Sequence, residues 1–383
     1  MAWSSELVTL MFATFVTNLG FGIIQPILPI FAADLNAAGF MLGLIFSGLS
    51  ISKLIFNPLV GRLSDKWGRK IFIVTGLFAY TGVALSYTLV STPHQLLIVR
   101  LAAGIAFSMV MPVVAAYMGS MSPKGEESFY MANLNLFVGI GMAIGPVIGG
   151  VLADLYNKDM AFIGQAVLLF AAFLITLFLL PKDAEHRYTS QPVKRPFKAL
   201  FTSNLMKGLA LATTVSAMAV SGLFVFMPLL CKKLNFSNTQ VGILLAVVMI
   251  LAGFLQLPFG KLAGRHDKVL FICAGGIIGA ISLALLPECK TFWSFLTIGM
   301  VVAVGTALSA PAASGLIIEQ CRETGLGASV GMISSFQEAG LIAGPIVSGL
   351  IMDQFNLSSV FRLMAGLYAV ITILFYYFAK IRK

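Results

Sequence analysis

The sequence predicts an all-α membrane protein with twelve transmembrane helices in two pseudo-symmetric six-helix bundles. Three observations predict this fold class: the apolarity of the chain, the number of its long apolar runs, and an internal repeat. Of the 383 residues, 58% are hydrophobic and only 10% are charged, and the mean hydropathy is +0.95. A soluble domain carries about 25% charged residues. This chain therefore cannot cover its surface with polar groups, and we expect lipid to cover it.

The apolar runs define the predicted spans, because a helix needs about 20 apolar residues to cross the hydrocarbon core. Six such runs precede the polar interval 181–206 and six follow it. The predicted spans are 8–31, 41–60, 71–91, 95–118, 130–153, 160–180, 207–230, 239–258, 269–286, 292–317, 328–351 and 359–379. This order predicts an N-terminal bundle at 1–180, a cytoplasmic linker at 181–206 and a C-terminal bundle at 207–383.

The Lys and Arg residues predict the orientation, because cytoplasmic connectors carry an excess of them. With the N-terminus inside, the outer connectors hold only Lys158, Lys232, Lys233 and Lys290 of the 25 basic residues. Three more fall within spans, and the others lie in the inner connectors and the C-terminal tail. Both termini are therefore expected in the cytoplasm, and we expect a prokaryotic cytoplasmic membrane.

An internal repeat relates the two halves at a fixed offset of 199 residues. The matching positions are Pro29 with Pro228, Leu35-Asn36 with Leu234-Asn235, Gly43 with Gly242, Gly61 with Gly260, Pro112 with Pro311, Gly145-Pro146 with Gly344-Pro345, and Asp154 with Asp353. One unbroken offset over so long a stretch predicts two copies of a six-span unit. Parallel repeats of this kind are typical of secondary transporters.

Composition and motifs exclude several other classes of protein. The net charge of +10 is spread over short connectors rather than gathered in a basic domain, so nucleic acid is not an expected partner. The four cysteines show no metal-ligand spacing and are expected to be isolated thiols. Neither Walker motif occurs, so ATP is not the expected energy source. No paired intramembrane acids and no nucleophile–base set support an enzyme.

Three motifs carry a resemblance to a known family. GRLSDKWGRK at 61–70 resembles the loop motif of the major facilitator superfamily, and GKLAGRHDK at 260–268 resembles a degraded copy of it. GIGMAIGPVIGG at 139–150 resembles the span-five motif of the 12-span drug:proton antiporter branch, and RLAAG at 100–104 resembles that branch's span-four motif. The resemblance covers the whole chain, and it implies the major facilitator fold.

The loop motif is expected to act as a conformational latch formed by Gly61, Asp65, Gly68 and Arg69. The resemblance implies that Asp65 docks onto the cytoplasmic end of span 11 while the outside is open. A carboxylate near a helix N-terminus is stabilised by about 0.3–1 kcal/mol, which is small enough for release in each cycle. The alternative is that the basic residues of the motif only fix the topology.

Glycines in spans 5 and 11 predict a packing seam. Gly141, Gly145 and Gly149 recur every four residues and form one stripe, and Gly344 repeats its centre. Small residues allow close helix packing, and the resemblance adds that the stripe seals the two halves on the outer side. Pro146 and Pro345 each remove one intrahelical hydrogen bond and permit a bend. We therefore expect a hinge at these positions.

Three charged residues lie clearly inside spans: Lys53 in span 2, Arg100 in span 4 and Glu338 in span 11. A charge at the bilayer centre costs about 2.5–3.5 kcal/mol on insertion scales, so each marks a site or a pair. Glu338 is the only acid near the middle of the membrane, and Ser334 shares its helix face one turn earlier. Glu338 is either a carboxyl that exchanges a proton against cargo or half of a structural ion pair.

The remaining predicted site residues surround these charges. Lys53 and Glu338 fall at similar central depths, which predicts a pair that protonation or cargo would break. The resemblance implies that Arg100 contacts span 1 near Gln25 and helps to relay protons; alternatively, its guanidinium reaches the outer interface. Span 1 lacks the acid that drug antiporters of this type often carry, and Asn18 and Gln25 are its only strongly polar residues.

The expected function is proton-coupled efflux of amphipathic small molecules, of the multidrug type, by alternating access. The expected partners are a small-molecule substrate, protons and lipid, and the proton gradient replaces any cofactor in a monomeric protein. The alternative is a dedicated exporter or flippase of an anionic metabolite or lipid, which Lys53 and Arg100 favour. The span-five motif argues against an importer, and a receptor would not need two similar halves.

Overall fold

The computed structural model describes residues 5–122, 127–181, 204–321 and 326–380. Throughout these ranges the regular structure is helical, with no strand. Twelve helical segments are long and apolar enough to cross a membrane, and each overlaps one predicted span. The predicted fold class of an all-α protein with twelve spans is therefore confirmed. Most of the predicted linker, residues 182–203, lies outside the described residues, so its cytoplasmic placement stays a prediction.

The helices are numbered below as spans in chain order. Their bounds are Ser5–Ile24 with Leu28–Asp34 (span 1), Gly39–Trp67 (span 2), Arg69–Ser86 with the 3₁₀ turn Tyr87–Leu89 (span 3), Pro93–Met121 (span 4), Glu127–Leu155 (span 5), Lys158–Leu179 (span 6), Asn204–Lys233 (span 7), Asn238–Ala263 (span 8), Lys268–Leu285 with the 3₁₀ turn Leu286–Glu288 (span 9), Phe292–Cys321 (span 10), Leu326–Gln354 (span 11) and Leu357–Lys380 (span 12).

The repeat extends from the sequence to the backbone. Asn36 and Asn235, which are 199 residues apart, have φ values of 60° and 59°, and no other non-glycine residue in the described ranges has a positive φ. Asparagine adopts the left-handed region more readily than most residues. Each asparagine follows the end of a helix, and the chain turns there into the next span. The two halves thus share this turn as well as their sequence pattern.

Helix starts on the short connectors are fixed by side-chain caps. Thr92 and Gln95 form a capping box at the start of span 4. Asn157 accepts a hydrogen bond from the Met160 amide at the start of span 6, and its repeat partner Asn356 accepts one from Ser359 in span 12. These caps satisfy amide groups that a helix leaves without intrahelical partners, so the short connectors are built to begin helices.

The chain divides into two compact units, and each unit includes a short segment from the opposite half of the sequence. Unit 1 takes its described residues from Met1–Ala37, Gly48–Thr189 and Phe236–Ala246. Unit 2 takes its described residues from Ala38–Ser47, Ser190–Asn235 and Val247–Lys383. The first residues of spans 2 and 8 are therefore exchanged, and they pack with the unit that does not hold the rest of their helix.

The same packing pattern occurs inside both units. In unit 1, span 1 packs against spans 5 and 6, and span 3 packs against spans 4 and 6. In unit 2, span 7 packs against spans 11 and 12, and span 9 packs against spans 10 and 12. Large apolar side chains such as Leu89 and Phe178 point outward and are about four-fifths exposed, at 81% and 78%, as expected of surfaces that lipid covers.

Span 1 contains a break that the apolar pattern does not reveal. Its helix stops at Ile24, resumes at Leu28 and places Gln25 at the start of the break. Pro26 has no amide hydrogen and Pro29 follows three residues later, so two intrahelical hydrogen bonds are lost close together. The Gln25 amide instead donates to the Gly22 carbonyl at 3.1 Å. Span 7 is the repeat partner of span 1. It has only Pro228 at the equivalent positions, and it remains one helix.

Candidate functional site

The loop motif is mostly helix rather than loop. Residues 61–67 form the last turns of span 2, and Gly68 alone separates this helix from span 3. Gly68 has φ 96° and ψ 138°, a backbone conformation that side chains rarely tolerate. The glycine therefore allows the chain to reverse its direction within one residue. Asp65 lies before this turn on span 2, and Arg69 lies after it on span 3.

Arg69 ties the ends of three helices of unit 1 together. Its side chain is buried, and its guanidinium donates to the Ala116 carbonyl at 2.9 Å and to Ser120 Oγ at 2.7 Å on span 4. It also forms an ion pair with Asp65 across the turn, at 3.0 Å. Lys70 donates to the Leu180 carbonyl at the end of span 6. The motif thus fastens spans 2, 3, 4 and 6 at one end of the unit.

Replacing Arg69 by alanine is expected to lower the free energy of unfolding by about 3 kcal/mol, because several charge-assisted hydrogen bonds disappear together. Arg69→Lys should recover only part of this loss, since an ammonium lacks the planar fork. Thermal unfolding of the purified protein in detergent measures the effect. Arg62→Ala is the control, because Arg62 belongs to the same motif but is exposed. Equal melting temperatures for both alanine variants would contradict this structural role.

The predicted docking of Asp65 onto span 11 stays a prediction. The connector that precedes this helix, residues 322–325, lies outside the described residues. Gly61 has open space where a side chain would lie, so packing among the described residues does not require a glycine there. In the degraded copy, Asp267 caps span 9 by accepting from the Val269 amide at 2.9 Å, and this acid therefore starts a helix rather than bridging a one-residue turn.

The glycine stripe of span 5 packs against span 1 of the same unit. A Cβ on Gly141 would lie 2.6 Å from the Phe15 carbonyl oxygen, and one on Gly145 would lie 2.5 Å from that of Leu19. A Cβ on Gly149 would collide with the Ile23 carbonyl. Each glycine therefore meets backbone, which cannot move aside as a flexible side chain can. The predicted close helix packing is present along the whole stripe.

The stripe and the residues next to it meet different helices, and the predicted seal between the two halves stays a prediction. The three stripe glycines contact span 1, whereas Pro146 and Gly150 contact the start of span 8. A Cβ on Gly150 would collide with the Asn238 carbonyl, and one on Gly242 would collide with the Pro146 carbonyl. Pro146 and Gly150 each follow a stripe glycine in the sequence, and adjacent residues lie about 100° apart around a helix. They therefore face a different neighbour. Spans 5 and 11 remain continuous helices through Pro146 and Pro345.

Span 11 repeats the stripe against span 7 in unit 2. A Cβ on Gly340 would collide with the Thr214 carbonyl, and one on Gly344 would lie 2.5 Å from the Met218 carbonyl oxygen. At the third position the repeat has Ser348, whose side chain is buried against Gly222. At this level the glycine of unit 2 is therefore on span 7 rather than on span 11. Each unit thus has a close contact between its own two helices there.

Lys53 lies beside an aromatic group in unit 1. Its ammonium is 5.6 Å from the centre of the Phe107 ring, within the range of a cation–π interaction. Phe107 in turn contacts Phe21, with ring centres 6.0 Å apart, and Tyr80, at 6.4 Å. Lys53 is partly exposed. Spans 1, 2, 3 and 4 therefore contribute to one site with a positive charge and aromatic walls.

The polar residues of span 1 occupy different settings. Asn18 is 3% exposed, and its Nδ2 donates to the Thr14 carbonyl at 2.8 Å and to Met111 Sδ at 3.3 Å on span 4. Gln25 is partly exposed at the break in the helix. Asn18 therefore links span 1 to span 4, and Gln25 lies at the break in the helix of span 1.

Arg100 belongs to a buried polar cluster that sequence reasoning missed. The side chain of Arg100 is 3% exposed, so its guanidinium is enclosed by the protein. It lies close to the hydroxyls of Tyr80 and Tyr87 on span 3, and Gln165 of span 6 adjoins Tyr80. Tyr80, Tyr87 and Gln165 are completely buried. The sequence does show these polar residues in spans 3 and 6, but no motif indicates that they form a cluster.

Glu338 and Ser334 lie in unit 2, one turn apart on span 11. Glu338 is partly exposed, and Ser334 is exposed. Lys53 lies in unit 1, so the predicted pair between Lys53 and Glu338 stays a prediction. Arg362, near the start of span 12, is exposed and forms an ion pair with Glu288.

The described residues contain no group of three His, Cys, Asp or Glu side chains that could hold a metal ion. Cys231, Cys273 and Cys289 are buried free thiols. The side chain of Cys321 lies outside the described part of the chain.

Known proteins of similar sequence agree on the family. The model of the Major Facilitator Superfamily matches residues 10–237 and 209–383. The chain belongs to the major facilitator superfamily. Its relatives include an MFS-type transporter of Methanocaldococcus jannaschii, which is 30% identical over 368 residues and is matched over 95% of each chain. The quinolone resistance protein NorA of Staphylococcus aureus (strain COL) is 26% identical over 357 residues, which cover 91% of this chain and 90% of NorA.

Solved structures confirm the major facilitator fold of this superfamily member. The nucleoside transporter NupG matches with a TM-score of 0.82 and 16% identity, over 98% of this chain and 99% of NupG. A bacterial homolog of the human lysosomal transporter Spinster matches with a TM-score of 0.79 and 15% identity, over 98% and 96% of the two chains. At these identities the likeness concerns the fold alone. The protein is a membrane transporter of this superfamily.

Proposed function

We propose that this transporter exports amphipathic small molecules in exchange for protons, by alternating access and as a monomer. The observation that carries the proposal is the position of Glu338. Among the described residues it is the only acid in the middle of a helix, thirteen residues into a helix of 29 residues. The other acids of the spans lie near helix ends. An exchange of cargo for protons requires a titratable group on the transport path, and Glu338 supplies one.

Two further observations support an exporter. NorA, a quinolone resistance protein, is similar over nine-tenths of both chains. Phe21 and Phe107, which are both partly exposed, offer flat apolar walls beside the Lys53 ammonium. Flat rings and a charge suit molecules that are apolar over most of their surface and carry a polar group. Amphipathic aromatic compounds are therefore the cargo that this site favours.

The same site favours a second candidate, the export or flipping of an anionic metabolite or lipid. Lys53 in span 2 and Arg100 in span 4 place two cations in unit 1, and span 1 contributes no acid between Glu6 at its start and Asp34 at its end. A site with this balance attracts anions. The charge of the cargo is the property that separates the two candidates.

The test is uptake of fluorescent probes into inside-out membrane vesicles from an efflux-deleted host. We expect amphipathic aromatic probes to accumulate when the vesicles hold a proton gradient, and a protonophore should abolish this accumulation. Vesicles without the transporter are the control. Uptake of anionic probes alone would favour the second candidate. Accumulation that persists undiminished with the protonophore would contradict proton coupling.

A further inference from the structure

Tyr80 of span 3 joins two features of unit 1, the aromatic site and the buried polar cluster. Its ring meets the ring of Phe107 on span 4 in a T-shaped arrangement, with the ring centres 6.4 Å apart and the planes at 84°. Its hydroxyl lies close to Arg100 and adjoins the Gln165 amide. Tyr80 is completely buried, whereas Phe107 is partly exposed. Tyr80 therefore lies behind the exposed aromatic wall rather than in it.

Phe107 is the central ring of the exposed site, and its neighbours differ in how firmly they are held. The Lys53 ammonium lies 5.6 Å from the centre of the Phe107 ring. The Phe21 ring lies 6.0 Å away, centre to centre, at an angle of 58°. Lys53 and Phe21 are both partly exposed. Of these three neighbours only Tyr80 is enclosed on all sides, so it is the one that can fix the angle of the Phe107 ring.

The buried polar cluster holds Tyr80 from the other end. Gln165 of span 6, which adjoins the Tyr80 hydroxyl, is itself completely buried. Its side chain packs against span 1, where a Cβ added to Gly20 would lie 3.1 Å from Gln165 Cγ. A side chain in a closely packed core has little room to change its rotamer. Spans 1, 3 and 6 thus keep the Tyr80 ring in one place.

Unit 2 fills the equivalent space with a tyrosine from another helix. The repeat partner of Tyr80 is Gly279 on span 9, and a Cβ added there would lie 2.6 Å from the ring of Tyr368 on span 12. The repeat partner of Phe107 is Thr306, so unit 2 has no ring at that position. The pair of Tyr80 and Phe107 is therefore a feature of unit 1 that the repeated fold does not require.

We propose that Tyr80 is a positioning residue, which sets the angle of the Phe107 ring and so makes the aromatic site selective for flat aromatic cargo. Aromatic rings attract one another best in offset-stacked or edge-to-face arrangements. A wall ring that is already held at one angle offers such an arrangement without a further loss of side-chain freedom on binding. The Tyr80 hydroxyl, in contrast, contributes to the stability of the buried cluster. The inference rests on the cargo class of the proposed function and does not depend on proton coupling.

The test is the binding of two carboxylates to the purified protein in lipid nanodiscs. One probe is an anthracene carboxylate, which is flat, and the other is a fully saturated tricyclic carboxylate of the same charge; the carboxylate matches the Lys53 ammonium. We expect Tyr80→Met to raise the Kd of the anthracene probe about fivefold and that of the saturated probe less than about twofold, because methionine fills the space without a ring. Tyr80→Phe keeps the ring, so it should lower the melting temperature but leave both Kd values unchanged.

Tyr368→Met is the matched control in unit 2. Tyr368 is also buried, and its hydroxyl accepts a hydrogen bond from Ser216 Oγ at 3.2 Å. This variant should lower the melting temperature without changing either Kd. Phe107→Leu should remove the preference for the flat probe, and adding Tyr80→Met to Phe107→Leu should have no further effect on binding, because Tyr80 acts through Phe107.

Several results would overturn the positioning role. They are an unchanged preference in Tyr80→Met, an equal loss of preference in Tyr368→Met, and additive effects of Tyr80→Met and Phe107→Leu. If Tyr80→Met does not fold, a wild-type preference in Phe107→Leu would overturn it as well. A wild-type protein that binds neither probe would overturn both this inference and the aromatic cargo class. The expected binding pattern in a protein that fails the vesicle test would leave this inference standing and remove proton coupling.

Discussion

Replacing Gly149 by alanine is expected to remove most of the folded transporter, and Gly149→Leu is expected to remove all of it. The Cβ of either residue would occupy the space of the Ile23 carbonyl of span 1. Overpacking a core against side chains costs about 1–3 kcal/mol, and backbone yields less readily than side chains. The measurement is the yield of monodisperse protein in detergent, followed by thermal unfolding of whatever is recovered.

Gly139→Leu is the matched control for this prediction. Gly139 begins the same motif, but it is exposed and has no neighbour within 4 Å of an added Cβ. We expect its yield and melting temperature to stay close to those of the wild type. Wild-type yields for Gly149→Leu would show that span 1 is free to move away from span 5, which contradicts the backbone contact.

Replacing Glu338 by glutamine is expected to reduce uphill transport at least about tenfold while exchange of cargo for cargo continues. The amide keeps the size and the hydrogen-bonding capacity of the side chain but cannot carry a proton. Uphill accumulation driven by a proton gradient and counterflow without a gradient are measured in the same proteoliposomes. Glu319→Gln is the control, because Glu319 lies near the end of span 10 and pairs with Lys268.

The combination of results decides the role of Glu338. Loss of both activities, with normal folding, would favour a structural ion pair over a proton carrier. Retention of both would remove Glu338 from the transport path. Only the loss of uphill transport with preserved counterflow agrees with the proposal.

Much of the fold follows from local sequence signals. Length and apolarity located all twelve spans, because a membrane helix satisfies its own backbone and needs no distant partner to be recognised. The repeat predicted equivalent positions that the backbone confirms, such as the left-handed Asn36 and Asn235. The break at Gln25 could have been expected from Pro26 and Pro29, but prolines also occur inside continuous helices of this chain, as Pro146 shows.

The parts that sequence reasoning missed depend on which helices become neighbours. Asp154 looks like an ordinary acid at the end of a span, and its role as the acceptor for the Asn238 amide emerges only when span 8 starts beside it, 84 residues away. The glycine stripe was identified correctly, but the partner that it meets is span 1, which periodicity cannot name. Gln165 is a lone polar residue in an apolar run, and its burial beside Tyr80 follows from the packing of spans 3 and 6.

The most direct test of the central claim is the direction of proton movement during transport. The purified protein is reconstituted into liposomes that contain an amphipathic cargo and a pH-sensitive dye, with equal pH on both sides, and the cargo is then diluted outside. We predict that cargo leaving the lumen drives protons inward, so that the lumen becomes acidic only when the transporter and the cargo are both present. A lumen that stays at constant pH, or becomes alkaline, while cargo leaves would contradict exchange of cargo for protons.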